Sequence, residues 1–383
     1  MRNIPDNQEV GKNCHEGSAN PTEAAEWQAR ILRIPNAVDP NNPTLLDAAI
    51  IGAGPAGLAV AQTFHKAGIA YTVLERGPVA AHIAQYPHFM RFFSGNENLE
   101  IAGFPLGITE EKPSRREYLK YLTDFVSYHK LAVQTYTNVL AVSRQPDGSY
   151  SLQIERLDGT QAEVHARAVI VAVGAWDNPR KLHIPGGDLP KVHYRFTEPH
   201  PYVGRKVLVV GGRNSAVEAA LLHWRSGVDV SLCYRRTQFD GVGLKYWLRP
   251  DIENRLQKGE ITGYLGSNIC EVHGGSVDIE TPAGRVSIQN DFVLPFLGYD
   301  PPVKFLRDLG IKLEPETNRP AHNPATLESN VPGLFIAGAI TNGNVSGKVF
   351  IENSRHHGEL ILPRLREIAA STNDPMVRNL THQ

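Results

Sequence analysis

The chain has 383 residues, of which 41% are hydrophobic and 21% charged, and its formal net charge is -1. This composition is that of a globular protein with room for two domains, and it excludes a disordered or fibrous chain. Because so small a net charge gives no long-range attraction to nucleic acid or to an anionic membrane surface, we expect a small molecule or a protein as partner.

The start of the chain carries no recognisable targeting or membrane signal. The first residues are polar, and apolar runs such as 168–173 and 207–210 are far shorter than the roughly 20 residues of a membrane helix. We therefore expect a cytoplasmic protein. Residues 1–44 are interpreted as an N-terminal extension with one short helix, Thr22–Leu32, that docks on the main body or on a partner.

A first β-α-β unit is predicted from residue 45 onwards. The run 45–51 has the pattern of a buried strand, 58–66 that of a helix ending at Gly68, and Ala70–Leu74 that of a second strand. The strand and the helix are joined by a G-x-G-x-x-G loop that starts at Gly52. This context is typical of a dinucleotide-binding unit.

Each glycine of that loop has a physical role in such a unit. Gly52 permits the tight turn, Gly54 lets the backbone approach a pyrophosphate, and Gly57 lets the helix pack closely on the strand. Glu75 ends the second strand and is predicted to accept hydrogen bonds from a ribose diol, with Arg76 beside it. The alternative is a fortuitous glycine turn with a solvated Glu75.

The same pattern recurs downstream. Strand 206–210 is followed by the loop 211–216, a helix predicted over Val217–Arg225, and a strand over Val228–Tyr234. The middle glycine of the loop is replaced by Arg213, which we expect to contact the pyrophosphate. Further strands are predicted over Ser149–Glu155 and Glu163–Ala168, and two such units in one chain predict two dinucleotide domains.

The second unit lacks an acid at the end of its second strand. Tyr234 takes that position and is followed by Arg235 and Arg236. A carboxylate there would repel a 2′-phosphate, whereas a guanidinium can pair with it, so the sequence favours NADPH over NADH. The alternative is that both arginines are solvated surface charges.

A family resemblance follows from several short motifs taken together. Tyr86-Pro87, Phe92-Phe93-Ser94, the loop 211–216 and Phe350-Ile351-Glu352-Asn353 resemble the YpdA family of bacillithiol-disulfide reductases, which are relatives of low-molecular-weight thioredoxin reductases. The similarity covers roughly residues 45–365. It implies an α/β fold of the pyridine nucleotide-disulfide oxidoreductase type with two Rossmann-like domains, the NADPH domain being inserted in the FAD domain.

The resemblance also implies boundaries and further site residues. The FAD-binding domain would comprise 45–185 and 299–370, the NAD(P)H-binding domain 186–298, and the C-terminal tail 371–383. Gly174 and Gly298 resemble the ends of the stretches that lead into and out of the second domain, and Gly338 resembles the end of the last FAD-binding strand. Many relatives have an aspartate after that glycine; because Ala339 stands here, another group or backbone amides near Asn342–Gly343 must serve.

Aromatic residues near position 90 resemble those that the family places at the flavin. Tyr86, Phe92 and Phe93 would contact the ring and Ser94 could hydrogen-bond it, although plain core packing is equally open for the phenylalanines. The residues predicted to bind FAD or NADPH are Gly52, Gly54, Pro55, Ala56, Gly57, Glu75, Arg76, Tyr86, Phe93, Ser94, Gly174, Gly211, Gly212, Arg213, Asn214, Ser215, Ala216, Arg235, Arg236, Gly298, Gly338, Ala339, Phe350 and Ile351.

The cysteines depart from the family pattern. The family usually carries a cysteine in the first glycine loop, where this chain has Ala56, and no C-x-x-C pair or metal-ligand spacing is present. Cys233 and Cys270 fall in predicted strands and are interpreted as packed small residues, and Cys14 lies in the extension. No enzyme thiolate is therefore evident, and we predict no metal.

The histidines give no clear general acid or base. His193 and His200 lie in the predicted crossover to the second domain, where a hydrogen-bonded linker role is favoured, and His356 and His357 would shape the flavin pocket. The predicted reaction is hydride transfer from NADPH to flavin and then electron transfer to a small-molecule disulfide or a protein redox partner. Similarity to thioredoxin reductases implies a homodimer.

Two other functions remain open from the sequence. A flavin monooxygenase shares the two-unit plan and a comparable crossover through Pro185-Gly186, His193 and Gly211. A non-catalytic flavin module that senses redox state or acts as a scaffold would explain the altered positions Arg213 and Ala339, but not the intact first loop and the paired arginines.

Overall fold

The computed structural model describes residues 45–175, 178–239, 244–345 and 348–372. The predicted extension, with its helix Thr22–Leu32, and the tail beyond residue 372 lie outside the described residues. The strands are β1 (Leu46–Ile51), β2 (Tyr71–Leu74), β3 (Val133–Gln134), β4 (Thr137–Arg144), β5 (Tyr150–Arg156), β6 (Gln161–Val171), β7 (Asn178–Pro179), β8 (Lys206–Val210), β9 (Asp229–Tyr234), β10 (Thr262–Leu265), β11 (Asn268–Val272), β12 (Ser276–Thr281), β13 (Gly284–Gln289), β14 (Phe292–Pro295), β15 (Tyr299–Asp300) and β16 (Leu334–Ile336).

The described helices flank these strands. They are α1 (Pro55–Lys66), α2 (Asn96–Leu99), α3 (Arg115–His129), α4 (Asn214–Arg225), α5 (Arg249–Gln257), α6 (Val303–Asp308), α7 (Ile351–Ser354) and α8 (His357–Thr372), with short 3₁₀ segments at Ile83–Gln85, His200–Tyr202 and Ala339–Asn342. Within the described part of the chain, none of the helices combines the length and the apolar character that a membrane span requires.

The first predicted unit forms the centre of a seven-stranded sheet. Its strand order is β3-β2-β1-β6-β5-β4, and β16 pairs with the C-terminal end of β6. Strands β3, β2, β1, β6 and β16 run parallel, whereas β4 and β5 add an antiparallel hairpin. Buried residues such as Ile50 and Ile170 lie on the central strands because helices cover a parallel sheet on its faces.

The predicted second unit forms a separate four-stranded sheet. Its order is β10-β9-β8-β14, and all of its pairings are parallel. A three-stranded antiparallel sheet, β11-β12-β13, lies beside it and shares a buried cluster that includes Leu208, Cys233 and Ile279. The predicted fold class, an α/β protein with two Rossmann-like units, is therefore confirmed.

Both helices of the glycine-loop units begin earlier than the sequence pattern indicates. Helix α1 starts at Pro55 rather than at residue 58, and α4 starts at Asn214 rather than at Val217. The last residues of each glycine loop thus belong to the first helical turn, where apolar periodicity gives no signal. Pro55 suits the first helical position, because its fixed φ is already helical and its missing N–H would have no partner there.

The two connections between the sheets pair with each other. Strand β7, which leads into the second unit, forms an antiparallel pair with β15, which leads out of it. The side chains Arg180 and Asp300 add an ion pair at 2.9 Å. This pairing supports an inserted second domain, and the exact boundaries at 185/186 and 298/299 stay a prediction. Helix α8 continues to Thr372, beyond the predicted end of the FAD domain at residue 370.

Candidate functional site

The first glycine loop is packed tightly at two glycines and open at the third. A Cβ atom on Gly52, whose φ is +107°, would lie 2.6 Å from the carbonyl oxygen of Ala172, and one on Gly57 would lie 2.0 Å from that of Gly52. A Cβ atom on Gly54 would meet no protein atom within 4 Å. Gly54 has an extended backbone that any residue can adopt, so the open space in front of it, at the N-terminus of α1, suits a pyrophosphate.

The buried carboxylate of Glu75 fixes this loop. Its two oxygens accept hydrogen bonds from the backbone N–H groups of Ala53, at 2.8 Å, and Gly77, at 2.9 Å. Each carboxylate oxygen retains acceptor capacity, so a ribose diol can still donate to it. The next residue, Arg76, is exposed. The pKa of His82 is lowered to about 4, mainly by burial and further by the positive charges of Arg195 and Arg76.

The last strand of the large sheet brings a second glycine against the first loop. Gly338 follows β16 with φ +83°, and a Cβ atom on it would lie 2.8 Å from the Cβ of Ala56. Its N–H donates to Nδ1 of His357 at 3.0 Å. Burial lowers the pKa of His357 to about 4, so the ring is neutral at physiological pH and can accept this bond. Two distant predicted segments thus meet at the carboxyl edge of the sheet.

The group that would replace the missing aspartate at Ala339 stays a prediction. The N–H of Gly343 already donates to the carbonyl oxygen of Ile340 at 3.0 Å, and the side-chain amide of Asn342 donates to the carbonyl oxygen of Val345. A ligand would have to compete with these bonds within the turn. His357 is the side chain that contacts the loop at Gly338, and the sequence assigned it only a role in shaping the pocket.

The aromatic residues near position 90 differ in their surroundings, since one is in the core and another faces the second unit. Phe92 is buried and packs on Tyr118, with ring centroids 4.7 Å apart. Of the two roles left open for Phe92, core packing is therefore the one observed. Phe93 is half-buried, and its ring lies edge-on to Trp247 of the second unit at 5.9 Å. The hydroxyl of Ser94 donates to the carboxylate of Glu352, so the expected bond to a flavin ring would have to compete with this one.

Other predicted residues surround the same edge of the large sheet. Tyr86 is enclosed, and burial raises the pKa of its hydroxyl. Gly174, with φ +75°, follows β6, and a Cβ on it would meet no protein atom within 4 Å. The N–H of the exposed Phe350 donates to Oδ1 of Asn353 at 3.0 Å where α7 begins, and Ile351 packs against the main core.

The second glycine loop forms the same tight turn as the first, but different residues pack against it. A Cβ atom on Gly211, whose φ is +135°, would lie 2.7 Å from the carbonyl oxygen of Phe296. One on Gly212 would lie 2.5 Å from ring atoms of Tyr234. The buried Ala216 occupies the third glycine position and meets Gly211 closely. The turn is therefore preserved although two of its three consensus glycine positions are Arg213 and Ala216.

The remaining loop residues lie at the start of α4. Arg213 is exposed and precedes the helix with an extended backbone, so its side chain can extend towards a ligand at the helix N-terminus. The side-chain oxygen of Asn214 accepts a hydrogen bond from the N–H of Lys245 at 2.8 Å, and Ser215 is exposed. Gly298, with φ +92°, follows β14 and stands next to the guanidinium of Arg180.

The paired arginines lie at the carboxyl end of β9, as expected. Both Arg235 and Arg236 are exposed, and the carbonyl oxygen of Arg236 accepts a bond from the N–H of Gly266 at 2.9 Å. The ring of Tyr234 stacks on Phe239, with centroids 5.5 Å apart and planes at 12°. Tyr234 thus stands at the end of the second strand, where the first unit has a carboxylate. The guanidinium groups of the next two residues lie at the surface.

One acidic side chain near this loop was not predicted as a site residue. Glu218 lies on α4 among buried alanines and valines, and burial raises its pKa to about 7. A single acid within the otherwise apolar run 216–222 was the available signal. Its carboxyl group changes charge near physiological pH, which is typical of functional sites.

The cysteines and crossover histidines match their structural interpretations. Cys233 is buried in β9, and burial, then Cys270, raise the pKa of its thiol to about 12. Cys270 lies half-buried on β11, and Cys14 is outside the described residues. His193 shares a 2.8 Å hydrogen bond with the hydroxyl of Tyr202, and His200 is exposed in a short 3₁₀ segment.

A group with metal-ligand side chains also lies outside the predicted site. Glu271, His273 and Asp278 converge on the small antiparallel sheet. The guanidinium of Arg285 donates to Asp278 at 2.7 Å and to Glu271 at 3.2 Å, so these described residues form an ion-pair network whose negative charge is already partly neutralised.

Comparison with known proteins gives consistent results. Residues 49–338 match the model of the family described as pyridine nucleotide-disulphide oxidoreductase. The chain is 36% identical over 313 residues to the bacilliredoxin reductase Bdr of Bacillus subtilis, covering 81% of this chain and 94% of that protein. It is 26% identical over 307 residues to a ferredoxin–NADP reductase of Ignicoccus hospitalis, covering 77% of this chain and 90% of the relative.

A solved structure agrees with these sequence matches. The bacillithiol disulfide reductase Bdr (YpdA) of Bacillus cereus superposes with a TM-score of 0.82 at 34% identity, over 86% of this chain and all of that one. The predicted resemblance to the YpdA family is thereby confirmed.

Proposed function

Because the chain belongs to the pyridine nucleotide-disulphide oxidoreductase family, we propose that it uses NADPH to reduce a low-molecular-weight disulfide of the bacillithiol disulfide type. The predicted enzyme class and cofactors are confirmed: the chain is an FAD-dependent NADPH oxidoreductase. The alternatives of a monooxygenase and of a non-catalytic module are less supported, since the relatives at 36% and 26% identity that cover most of this chain carry reductase names.

The observation that carries the proposal is the difference between the two glycine loops. The first has an open Gly54 and a loop-bound Glu75, which suit the pyrophosphate and the ribose of FAD. The second has no acid at the corresponding place and presents Arg235 and Arg236, which suit the 2′-phosphate of NADPH. The first loop and Glu75 would hold FAD, and the second loop with the arginine pair would hold NADPH; together the two cofactors would supply hydride transfer and the two electrons needed to reduce a disulfide.

The chain itself binds and orients these groups in the proposed reaction. We assign the FAD site to the predicted residues of the first loop together with Gly174, Gly338 and the segment around Phe93, within a domain made of 45–185 and 299–370. The NADPH site comprises the second loop and the arginine pair, within the domain 186–298. The paired strands β7 and β15 support this division.

No enzyme thiol is assigned to the proposed reaction. Of the two described cysteines, Cys233 is buried with a raised thiol pKa, and neither belongs to a glycine loop or to the segment 86–94. Ala56 stands where the family resemblance implies a loop cysteine. The substrate disulfide is therefore proposed to be reduced without an enzyme thiol intermediate: its S–S bond breaks, and NADPH, one proton from solvent and the disulfide give NADP⁺ and two thiols.

We also propose that the enzyme is a cytoplasmic homodimer, as the resemblance to thioredoxin reductases implies. Sedimentation velocity of the flavin-loaded protein tests the oligomeric state, and a single monomeric species would contradict it. Fractionation of the source cells tests the location.

The first test is an anaerobic titration of the purified, flavin-loaded protein with NADPH and, separately, with NADH. The expected result is loss of the oxidised-flavin absorbance at much lower NADPH than NADH concentration. Bacillithiol disulfide is then added, and the oxidised-flavin absorbance should return as thiols appear. A flavin that neither nucleotide reduces would overturn the proposal, and reoxidation by a ferredoxin or a bacilliredoxin alone would favour a protein acceptor instead.

A further inference from the structure

An open cavity lies where the two sheets are joined. Its volume is about 720 Å³, within the range of small-molecule sites. The described residues that line it are Asn178, Pro179, Lys181, His193, Tyr194 and Arg195. They come from the paired connection β7 and from the chain that enters the second unit, and none was predicted to bind FAD or NADPH.

The chain that follows the lining residue Arg195 packs against the segment that the family resemblance places at the flavin. The N–H of His88 donates to the carbonyl oxygen of Thr197 at 3.0 Å, and the rings of Phe89 and Phe196 lie 5.8 Å apart. Arg195 itself contributes to lowering the pKa of His82, whose ring lies edge-on to that of Tyr86. The cavity therefore lies one or two residues along the chain from contacts with the proposed flavin segment.

The charge of the cavity has a single sign among the described lining residues. Lys181 and Arg195 are exposed cations, and none of the six residues is acidic. The ammonium group of Lys181 lies 3.9 Å from the ring centroid of Tyr194, which holds it at the wall. A cleft lined by charges of one sign concentrates the opposite charge, so the cavity attracts anions.

We propose that this cavity binds the second substrate and selects disulfides that carry carboxylates, with Lys181 and Arg195 pairing with those groups. The inference rests on the proposed reductase function and specifies its substrate class. In the reaction, the S–S bond of the bound anionic disulfide breaks: NADPH, one proton from solvent and the disulfide give NADP⁺ and two thiols, which leave. The cations bind the ends of the substrate, and neither takes part in bond breaking.

Equilibrium binding to the oxidised enzyme tests the site without requiring turnover. Two disulfides with arms of similar size are compared by calorimetry: 3,3′-dithiodipropionate, which is a dianion, and bis(2-hydroxyethyl) disulfide, which is neutral. We expect the dianion to bind more tightly. Lys181→Gln and Arg195→Gln should each weaken its binding roughly five-fold and leave the neutral disulfide unchanged. The exposed Lys304, on α6 and paired with Asp308, supplies the control Lys304→Gln, which should change neither.

The outcomes separate this inference from the proposed function. Three results overturn the assignment even where NADPH reduces the flavin. They are equal binding of the two disulfides, a loss of dianion binding in Lys304→Gln equal to that in the Lys181 and Arg195 variants, and no binding of the dianion at millimolar concentration. Loss of bound flavin, or a raised KM for NADPH, in the Lys181→Gln protein also overturns it, because the cavity would then belong to a cofactor site. Failure of NADPH to reduce the flavin contradicts the proposed function and leaves the binding result to be judged separately.

Discussion

The two glycine-loop units build the same turn from different side chains. In the first, the N–H of Ala53 donates to the carboxylate of Glu75 at the end of the second strand. In the second, Gly212 occupies the place of Ala53, and the ring of Tyr234 occupies that of Glu75. The first contact is a charge-assisted hydrogen bond, and the second is the packing of backbone on an aromatic face.

This difference supports the proposed assignment of FAD to the first unit and of NADPH to the second. A carboxylate bound to the loop is an acceptor for a ribose diol, and it repels a phosphate at the same position. The ring of Tyr234 leaves no charge there, so Arg235 and Arg236 dominate the electrostatics of the second site. Gly212 is required by this arrangement, because a Cβ atom would lie 2.5 Å from the ring.

The largest effect is expected from the tight contact in the first loop. Gly57→Ala places a Cβ 2.0 Å from the carbonyl oxygen of Gly52, so helix and strand must separate, at about 1–3 kcal/mol or more, and the flavin should be lost. Flavin content and urea unfolding measure this. Gly54→Ala is the matched control: it meets no protein atom, so stability should hold while flavin affinity falls. Unchanged flavin binding in Gly54→Ala would contradict the placement of the pyrophosphate.

The next largest effect concerns the arginine pair of the second unit. Arg235→Ala with Arg236→Ala should raise the KM for NADPH by about tenfold or more, which corresponds to about 1.4 kcal/mol, because a charge-assisted pair is lost. The KM for NADH should change little. The exposed Arg205 in the same domain gives the control Arg205→Ala. Equal increases for both nucleotides would sink the assignment of the 2′-phosphate.

A smaller effect is expected from the histidine that joins the last strand to the first loop. The pKa of His357 is lowered from 6.5 to about 4, so between these values the unfolded chain binds a proton that the folded protein does not. The free energy of unfolding should therefore fall as the pH drops from about 6.5 to about 4, by about 1–3 kcal/mol from this residue. His357→Asn should flatten that dependence while keeping an acceptor for Gly338.

The exposed His200, in a 3₁₀ segment of the other unit, supplies the control for this experiment, because the neighbouring His356 itself helps to lower the pKa of His357. His200→Asn should leave the pH dependence of urea unfolding as in the wild type. If both variants show the wild-type dependence, the neutral His357 does not stabilise the loop, and the bond to Gly338 has no measurable role.

The smallest effect is expected from removal of the thiols. A chain with Cys14→Ser, Cys233→Ala and Cys270→Ser should reduce disulfide at the wild-type rate, with about 1 kcal/mol lost from the buried Cys233. Turnover per bound flavin and thermal unfolding are the measurements. Retention of flavin reduction with loss of disulfide reduction would reveal a thiol intermediate, and single variants would then identify the cysteine.

The sequence alone determined the two β-α-β units, since buried strands, glycine spacing and helix periodicity are local signals. Strands such as β8 and the C-terminal ends of α1 and α4 were predicted almost to the residue. The helix starts were missed, because the first turn of each helix is part of the glycine loop and carries no apolar periodicity. The replacement of the acid at Glu75 by Tyr234 in the second unit, with Arg235 next to it, could also be read directly from the spacing.

Contacts between distant segments were decided only by the tertiary structure. Ala56 meets Gly338, and His357 accepts the Gly338 N–H, because β16 joins the parallel sheet beside β6 and ends at the same edge as β1. The cavity beside Lys181 exists because the two connections between the sheets pair with each other. A one-dimensional pattern specifies which elements form, whereas side chains far apart in the chain become neighbours only through strand order and packing.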